Sequence, residues 1–213
     1  MRIAVLGATG AVGSRVVVES LERGHRISAF ARSRARRGEL PPGRPVRLLD
    51  VADEVALRAA LRGQDAVVSA IRPTTGQEHT VRHATETLLR AASHAGTRLL
   101  IVGGAGPLLV PGGAGRLAID DERYVPRQWR TIAAASVAQL AACRDHSGSW
   151  TYLGPPANLG PGERTGRYRL GEGGQLVVAP DGSSGLSMED LAVAALDELE
   201  RPEARGGVVT VGS

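Results

Sequence analysis

Gly7-Ala8-Thr9-Gly10-Ala11-Val12-Gly13 is the most informative part of this sequence about how the chain folds. It lies between an apolar run at residues 2–6, typical of a strand, and residues 11–23, where apolar residues recur at helical spacing. There, the first glycine permits a tight turn, the second lets the backbone approach a pyrophosphate, and the third lets the helix pack closely on the strand. The free N–H groups at the start of the helix would face the phosphates. The alternative is a plain strand-to-helix turn that favours glycine. We interpret the turn as a binding site for the pyrophosphate of a dinucleotide. The residues expected to contact the dinucleotide are Gly7, Thr9, Gly10, Ala11, Val12 and Gly13.

Strand patterns alternate with helix patterns along the rest of the chain. Such alternation implies right-handed crossovers and a parallel sheet. The predicted fold class is therefore α/β, with a Rossmann-type, doubly wound parallel sheet in a single domain spanning residues 1–213. The pattern predicts strands at 2–6, 25–31, 46–49, 65–71, 98–102, 150–153 and 208–211, and helices at 11–23, 54–62, 77–95, 128–146 and after a Ser187 cap.

Two segments rich in glycine and proline, residues 104–127 and 155–186, interrupt this alternation. Each follows the C-terminal end of a predicted strand, which is the edge where open α/β sheets bind ligands. We therefore expect these insertions to build a small substrate lobe. Within the second, residues 167–170 are predicted to form a hairpin with residues 175–178.

The composition limits the chemistry that the chain can perform. Its 213 residues are 42% apolar and 23% charged, as in an ordinary globular protein, and its 26 basic residues are all arginine. Without lysine, the chain can form no lysine Schiff base, no P-loop lysine contact and no Tyr-x-x-x-Lys proton relay. A single cysteine cannot close an intramolecular disulfide.

Charge and hydropathy argue against nucleic acid and membranes as partners. The formal net charge is only +4, and aromatic residues are 3% of the chain, too few for stacking platforms. No stretch approaches about 18 consecutive apolar residues, and the first apolar run is too short for a signal peptide. We therefore expect a cytoplasmic protein that acts on a small molecule. His79 and His83 lie four residues apart on a predicted helix, but no third ligand accompanies them, so no metal site is predicted.

The end of the second predicted strand indicates which dinucleotide is bound. An NAD site usually places an acidic side chain there to hold the ribose 2′-hydroxyl, whereas this chain has Arg32 and Ser33. A guanidinium at Arg32 would fork onto a 2′-phosphate, so NADP(H) is expected in preference to NAD(H). Arg34, Arg36 and Arg37 are interpreted as a solvated loop. Topology predicts that further strand-end residues border the adenine, ribose and pyrophosphate: Asp50, Val51, Ala70, Ile71 and Arg72.

Longer stretches of the sequence resemble a known family. Residues 1–33, MRIAVLGATGAVGSRVVVESLERGHRISAFARS, are similar to the NADP-binding half of the atypical short-chain dehydrogenase/reductases with an NAD(P)H-binding, NmrA-like domain. Residues 150–202 are similar to a compact branch of these proteins, described as NADH-flavin reductases and related to biliverdin reductase B. Gly-Glu-Arg-Thr-Gly-x-Tyr-Arg, residues 162–169, is the most discriminating part of the resemblance, which covers essentially the whole chain.

The resemblance implies a single Rossmann domain with a nicotinamide laid along the strand ends, bordered by Gly103, Pro155 and Pro156. It does not imply one reaction, because related proteins include flavin and quinone reductases, catalytically silent redox sensors and pathway-specific reductases or isomerases. Superfamily members that use a Ser-Tyr-Lys triad have the lysine four residues after the tyrosine, whereas in this chain Gln128 follows Tyr124 at that spacing. Carbonyl reduction by that machinery is therefore not expected.

The remaining candidate reaction is hydride transfer to an acceptor that needs little acid catalysis. In such a reaction the nicotinamide carries the chemistry. Tyr124 is the candidate proton donor, or else a packed loop aromatic. Arg127, Trp129 and Arg164 are candidates for acceptor binding, or else surface cations and a packing tryptophan. The predicted function is an NADPH-dependent oxidoreductase that reduces a flavin, quinone or similar conjugated acceptor. The alternatives are a pathway-specific reductase, isomerase or dehydratase and a non-catalytic NADP(H)-sensing regulator. Monomer and homodimer both remain open.

Overall fold

The computed structural model describes residues 1–33, 40–41, 43, 45–201 and 207–213. Within these residues, helices cover both faces of a large sheet, and a two-stranded sheet lies apart from it. The helices are α1 (Ala11–Glu22), α2 (Glu54–Leu61), α3 (Val81–Ala95), α4 (Arg130–Arg144) and α5 (Met188–Glu200). The strands are β1 (Arg2–Leu6), β2 (Arg26–Ala31), β3 (Val46–Leu48), β4 (Ala66–Ser69), β5 (Arg98–Val102), β6 (Thr151–Gly154), β7 (Asn158–Gly160), β8 (Arg169–Gly171), β9 (Gly185–Ser187) and β10 (Gly207–Gly212).

The large sheet has the order β3-β2-β1-β4-β5-β6-β10-β8. Every pairing in it is parallel except that of β8 with β10. The chain moves outward in one direction from β1 to β3 and in the other from β4 to β6. The strand order therefore reverses between β1 and β4, which opens a crevice at their carboxyl ends. The predicted α/β, doubly wound parallel sheet is confirmed.

The central strands are buried on both faces, as their near-continuous apolar sequences require. On one face, a cluster with Ile3 and Val5 at its centre packs against α1 and α5. On the other, a cluster with Leu6 and Leu99 packs against α2, α3 and α4. Cys143 belongs to the second cluster, and burial raises the pKa of its thiol to about 12. It packs there as a small apolar side chain.

Two predicted helices begin later than the sequence pattern indicates. α3 begins at Val81 after a single 3-10 turn, Glu78–Thr80, and α4 begins at Arg130 after another, Arg127–Trp129. Such turns use tighter hydrogen bonds than an α-helix and commonly occupy its first residues. The predicted Ser187 cap is confirmed, because its hydroxyl accepts a hydrogen bond from Asp190 N at 2.9 Å.

The predicted hairpin within the second insertion is wrong. β8 pairs with β10, placing Leu170 opposite Val211, whereas Gln175 bridges to Leu109 in the first insertion. Without β8, β10 would leave a row of backbone groups unpaired at the sheet edge. Leu176 is then free to pack among buried residues of the first insertion, where it is 1% exposed.

The two insertions pack on each other in a third apolar cluster, which contains Leu108, Val110, Val125 and Leu176. Ala105 and Ala157, which follow the ends of β5 and β6, pack against this cluster. The same region contains the small parallel sheet of β7 and β9, which the sequence pattern does not predict. This third cluster therefore lies next to the carboxyl ends of β5 and β6.

The segment at residues 162–166, the first part of the 162–169 stretch on which the family resemblance mainly rests, is bonded to the start of α5. Asp190 is 3% exposed, and its carboxylate accepts hydrogen bonds from Thr165 N, Thr165 Oγ1 and Gly166 N at 2.6–2.9 Å. The adjacent Glu189 accepts one from Gly162 N at 2.8 Å. Carboxylates at the start of α5 thus serve as acceptors for a loop that has no strand partner of its own.

Among the described helices, none combines the length and the apolar character that crossing a membrane requires.

We expect Asp190→Ala to lower the free energy of unfolding by about 2–3 kcal/mol, because it removes a charged acceptor and leaves loop N–H groups without a partner. Urea denaturation measures this loss. The matched control is Asp181→Ala, whose carboxylate accepts hydrogen bonds from Ser183 in an exposed turn and whose removal should cost less. Equal losses for the two variants would contradict the role given to Asp190.

Candidate functional site

The glycine turn is fixed between the ends of two neighbouring strands. Gly7 N and Ala8 N both donate to Phe30 O of β2 at 3.0 Å. On the other side, Ala70 N donates to Leu6 O at 2.9 Å. Gly7 has a φ of +79°, and a Cβ on it would lie 2.6 Å from Ala70 O. The turn therefore requires glycine for both its backbone conformation and its close approach to the chain after β4.

The other two glycines of the turn differ in what a side chain would meet. A Cβ on Gly13 would lie 2.1 Å from Gly7 O, so only glycine lets α1 pack this closely against the end of β1. Gly10 has a φ of −82°, and among the described residues a Cβ there would meet only Gly7 O, at 3.2 Å. The space beyond Gly10 is open, as the approach of a pyrophosphate requires.

The first turn of α1 presents backbone donors toward this open space. Gly10 caps the helix without a side-chain hydrogen bond, and the first N–H to find an acceptor within the helix is that of Ser14, bonded to Gly10 O at 2.9 Å. The N–H groups of Ala11, Val12 and Gly13 precede it and have no intrahelical acceptor. Together with the helix dipole, they fit a diphosphate. Thr9 is buried beneath the turn, and Val12 packs into the cluster below α1.

At the end of β2, Arg32 and Ser33 are both exposed. Arg32 Nη2 donates to Thr74 Oγ1 at 2.7 Å, and among the described residues no carboxylate forms an ion pair with Arg32. Its guanidinium therefore keeps its charge uncompensated by the described part of the chain. Arg34, Arg36 and Arg37 lie outside the described residues.

The residues that follow β3 and β4 are those predicted to border the adenosine and the pyrophosphate. Asp50 is exposed after β3, and its carboxylate accepts from Ala52 N at 3.0 Å, while Val51 packs against the core. After β4, Ala70 and Ile71 are half-buried and Arg72 is exposed. The topology places these residues at the edge where they are predicted to bind, and their contacts with a nucleotide stay predictions.

At the other half of the crevice, Gly103 lies over a buried tyrosine that the sequence pattern does not single out. Tyr152 is fully buried, and a Cβ on Gly103 would lie 1.9 Å from its Cζ. Gly104 N donates to the Tyr152 hydroxyl at 2.9 Å, and the hydroxyl donates to Gly104 O at 3.2 Å. Burial raises the pKa of this phenol well above its ordinary value, so it stays protonated. Gly103 is thus required by the packing of Tyr152, whether or not it also borders a nicotinamide.

Pro155 and Pro156 are buried and follow β6, which pairs with β5. Because Gly103 N donates to Leu153 O at 3.0 Å, Gly103 and the two prolines leave the sheet at adjacent points on the same edge. The structure therefore brings together the three residues that are predicted to border a nicotinamide.

Tyr124 is half-buried against the third cluster, at the insertion that follows β5. The Arg123 guanidinium lies 5.3 Å from the centre of its ring. Arg123 is itself held by Asp121, 5% exposed, at 2.7 Å, and Arg116 bonds to the same carboxylate at 3.3 Å. The hydrogen bond from Arg123 lowers the pKa of Asp121 to about 2, so this carboxylate stays ionised and keeps both arginines in place.

The three residues predicted to bind the acceptor lie in different surroundings. Arg127 is 81% exposed and pairs with Glu122 at 2.6 Å, and Trp129 is 53% exposed at the start of α4. Arg164 instead donates to Glu19 of α1 at 2.6 Å. Its hydrogen bond holds the pKa of Glu19 below its ordinary value, against the opposing effect of burial. Acceptor binding by these three residues stays a prediction, and Arg164 also links the 162–166 segment to α1.

The different environments of Gly10 and Gly13 yield a matched pair of variants. Gly13→Ala should destabilise the fold by about 1–3 kcal/mol, as forced overpacking does. Gly10→Ala should lower the melting temperature less than Gly13→Ala, because its Cβ would lie 3.2 Å from Gly7 O instead of 2.1 Å. It should weaken NADPH binding about tenfold, the effect of about 1.4 kcal/mol, because its methyl group enters the space open to the pyrophosphate. Thermal melting and nucleotide titration measure the two effects. Equal NADPH affinity of Gly10→Ala and wild type would refute this assignment of the open space.

Comparisons with known proteins agree with this geometry. The uncharacterized protein YwnB of Bacillus subtilis is 36% identical over 219 residues, which span 100% of this chain and 99% of that protein. A 3-diazoavenalumate denitrifying reductase of a Streptomyces species is 32% identical over 233 residues, spanning 97% of this chain and 74% of that protein. The structure of a candidate NADH-flavin reductase from Streptococcus pneumoniae superimposes with a TM-score of 0.86 at 27% identity, covering 100% of this chain and 99% of that one.

A model of the NAD(P)H-binding family matches residues 7–202, from the first glycine of the turn to beyond the end of α5. The match includes the crevice at the strand reversal and the insertions beside it. This match, together with the glycine turn and the similar proteins named above, shows that the chain belongs to the NAD(P)H-binding family of atypical short-chain dehydrogenase/reductases.

Proposed function

We propose that the protein is an NADPH-dependent reductase that transfers a hydride to a flavin, a quinone or a similar small conjugated acceptor. The observation that carries this proposal is the exposed guanidinium of Arg32 at the end of β2, which pairs with no carboxylate of the described residues and lies beside a glycine turn open to a diphosphate. NADPH carries negative charge at both places, on the 2′-phosphate and on the diphosphate. We therefore assign Arg32 and Ser33 to the former and the first turn of α1 to the latter.

The acceptor is proposed from the chemistry that the chain lacks. The sequence contains no lysine, and β5 runs into Gly103-Gly104-Ala105, without the serine that other superfamily members use. A ketone or aldehyde needs a positioned acid to stabilise the developing alkoxide, whereas a flavin or quinone spreads the incoming charge over its own ring system. The bound nicotinamide supplies the hydride, and the protein supplies position and electrostatics.

Tyr124 is the residue we propose as a proton donor to the reduced acceptor. It packs against the third cluster, as do Ala105 and Ala157, which follow the strand ends where the nicotinamide is expected. Asp121 and Arg123 hold the loop and the ring in place. We further propose that the partner is a small molecule, not nucleic acid or membrane, and that the protein acts in the cytoplasm as a monomer or homodimer.

A second candidate is a pathway-specific reductase acting on a specialised metabolite. The similarity to the Streptomyces 3-diazoavenalumate denitrifying reductase, over 97% of this chain and 74% of that protein, favours it, because that relative carries a reaction-specific name. The glycine- and proline-rich insertions are segments that can differ in shape without disturbing the sheet. Both candidates share the cofactor site and differ in the acceptor.

The decisive measurement is the rate of NADPH oxidation at 340 nm with purified protein and a panel of FMN, FAD, riboflavin and quinones. Turnover with several of these acceptors, faster with NADPH than with NADH, is the expected result. Tight NADPH binding without turnover on any of them would reject the flavin or quinone reductase. The pathway-specific enzyme and a non-catalytic sensor would then remain.

Arg32→Ala tests the cofactor preference separately from the acceptor. Removing one charge-assisted hydrogen bond should cost about 1.5–3 kcal/mol of NADPH binding. NADH binding should change little, because NADH carries no 2′-phosphate. Arg26→Ala, at the opposite end of β2, is the control for lost positive charge and should leave both affinities unchanged. Equal affinities of the wild type for NADPH and NADH would contradict the proposed preference.

A further inference from the structure

The hydrogen bond between Arg32 and Thr74 crosses the nucleotide crevice. Arg32 follows β2, and Thr74 lies in the loop after β4. In the sheet, β1 lies between these two strands, and the glycine turn occupies its carboxyl end. A contact between the β2 and β4 ends must therefore pass beside that turn. At 2.7 Å the bond is short and well formed.

Thr74 is itself held by the loop that contains it. Its carbonyl accepts from Gln77 N at 2.8 Å, in a turn where Gly76 has a φ of +84°. The carbonyl of Gln77 in turn accepts from Thr80 N at 3.0 Å and from the Thr80 hydroxyl at 2.8 Å. This chain of bonds ties Thr74 to the 3-10 turn that precedes α3. The Thr74 hydroxyl is therefore an acceptor on an ordered loop.

An exposed arginine loses many side-chain rotamers when it binds a ligand, and a contact that orders it beforehand reduces that loss. The guanidinium of Arg32 has five N–H donors, of which the Thr74 hydroxyl uses one. No described residue accepts a hydrogen bond from the remaining donors, which are therefore available for a phosphate. Because no described carboxylate pairs with Arg32, Thr74 orders the guanidinium without neutralising it.

We propose that Thr74 is a positioning residue for the 2′-phosphate of the nucleotide, acting through Arg32. The proposal rests on the NADPH preference argued above and gives the end of β4 a part in that preference. Discrimination between phosphorylated and unphosphorylated ribose is then shared by the β2 and β4 ends, with Thr74 holding the charged donor that makes the contact.

The test uses 2′,5′-ADP and 5′-AMP, which differ by the 2′-phosphate and undergo no redox reaction. Isothermal titration calorimetry gives both dissociation constants for the wild type, Thr74→Val, Thr74→Ser and Thr75→Val. Thr74→Val should weaken 2′,5′-ADP binding about fivefold, the factor expected for one hydrogen bond, and leave 5′-AMP binding unchanged. Thr74→Ser keeps the hydroxyl and should restore wild-type affinity. Thr75→Val makes the same substitution at the next exposed residue and should have no effect.

The Arg32→Ala background separates the possible failures. If Thr74 acts through Arg32, Thr74→Val should cause no further loss in that background. A further loss there would show direct contact with the nucleotide and overturn the positioning role. An unchanged or tighter 2′,5′-ADP affinity of Thr74→Val in the wild-type background would overturn it as well. If Arg32→Ala leaves the ratio of the two dissociation constants unchanged, the proposed NADPH preference itself fails.

Discussion

The close contact between α1 and the end of β1 fixes how the first helix leaves the sheet. The chain reverses at Gly7, and α1 can return along the sheet only because Gly13 brings no side chain against the Gly7 carbonyl. That contact sets where the first turn of α1 begins, and hence where its free N–H groups point. The neighbouring strand ends are bonded to the same turn, through Phe30 and Ala70. A single backbone contact thus places three elements around one crevice.

The sequence predicts most of this arrangement, because each part of it has a local cause. Glycines at positions 7, 10 and 13 occur between a strand and a helix, and apolar runs identify the buried parallel strands. The sequence also leads to Arg32 by its distance from the glycine turn. Local patterns are sufficient in these places because the backbone conformation at each is determined by its own residues and immediate neighbours.

Contacts between distant segments are what the sequence pattern misses. Nothing local shows that Tyr152 fills the space under Gly103, or that Thr74 bonds to a residue 42 positions earlier. The failed hairpin has the same origin. Two short strands separated by glycines favour pairing with each other, but β10 needed an edge partner and Leu176 had a buried position available in the first insertion. Contacts between distant parts of the fold determine both pairings, and a single sequence does not reveal such contacts.

The attachment of the 162–166 segment to α1 has a consequence for the length of ligand that the crevice accepts. Arg164 joins this segment to Glu19. Glu189 accepts from Gly162 N at the beginning of the segment and pairs with Arg15, so two salt bridges lie along α1, whose first turn is proposed to face a diphosphate. The insertion that contains this segment begins at Pro155 and Pro156, beside the proposed ring site. The two ends of an extended cofactor would therefore rest on parts that are fastened together. The distance between the first turn of α1 and the two prolines is therefore set by contacts within the chain, before any ligand binds.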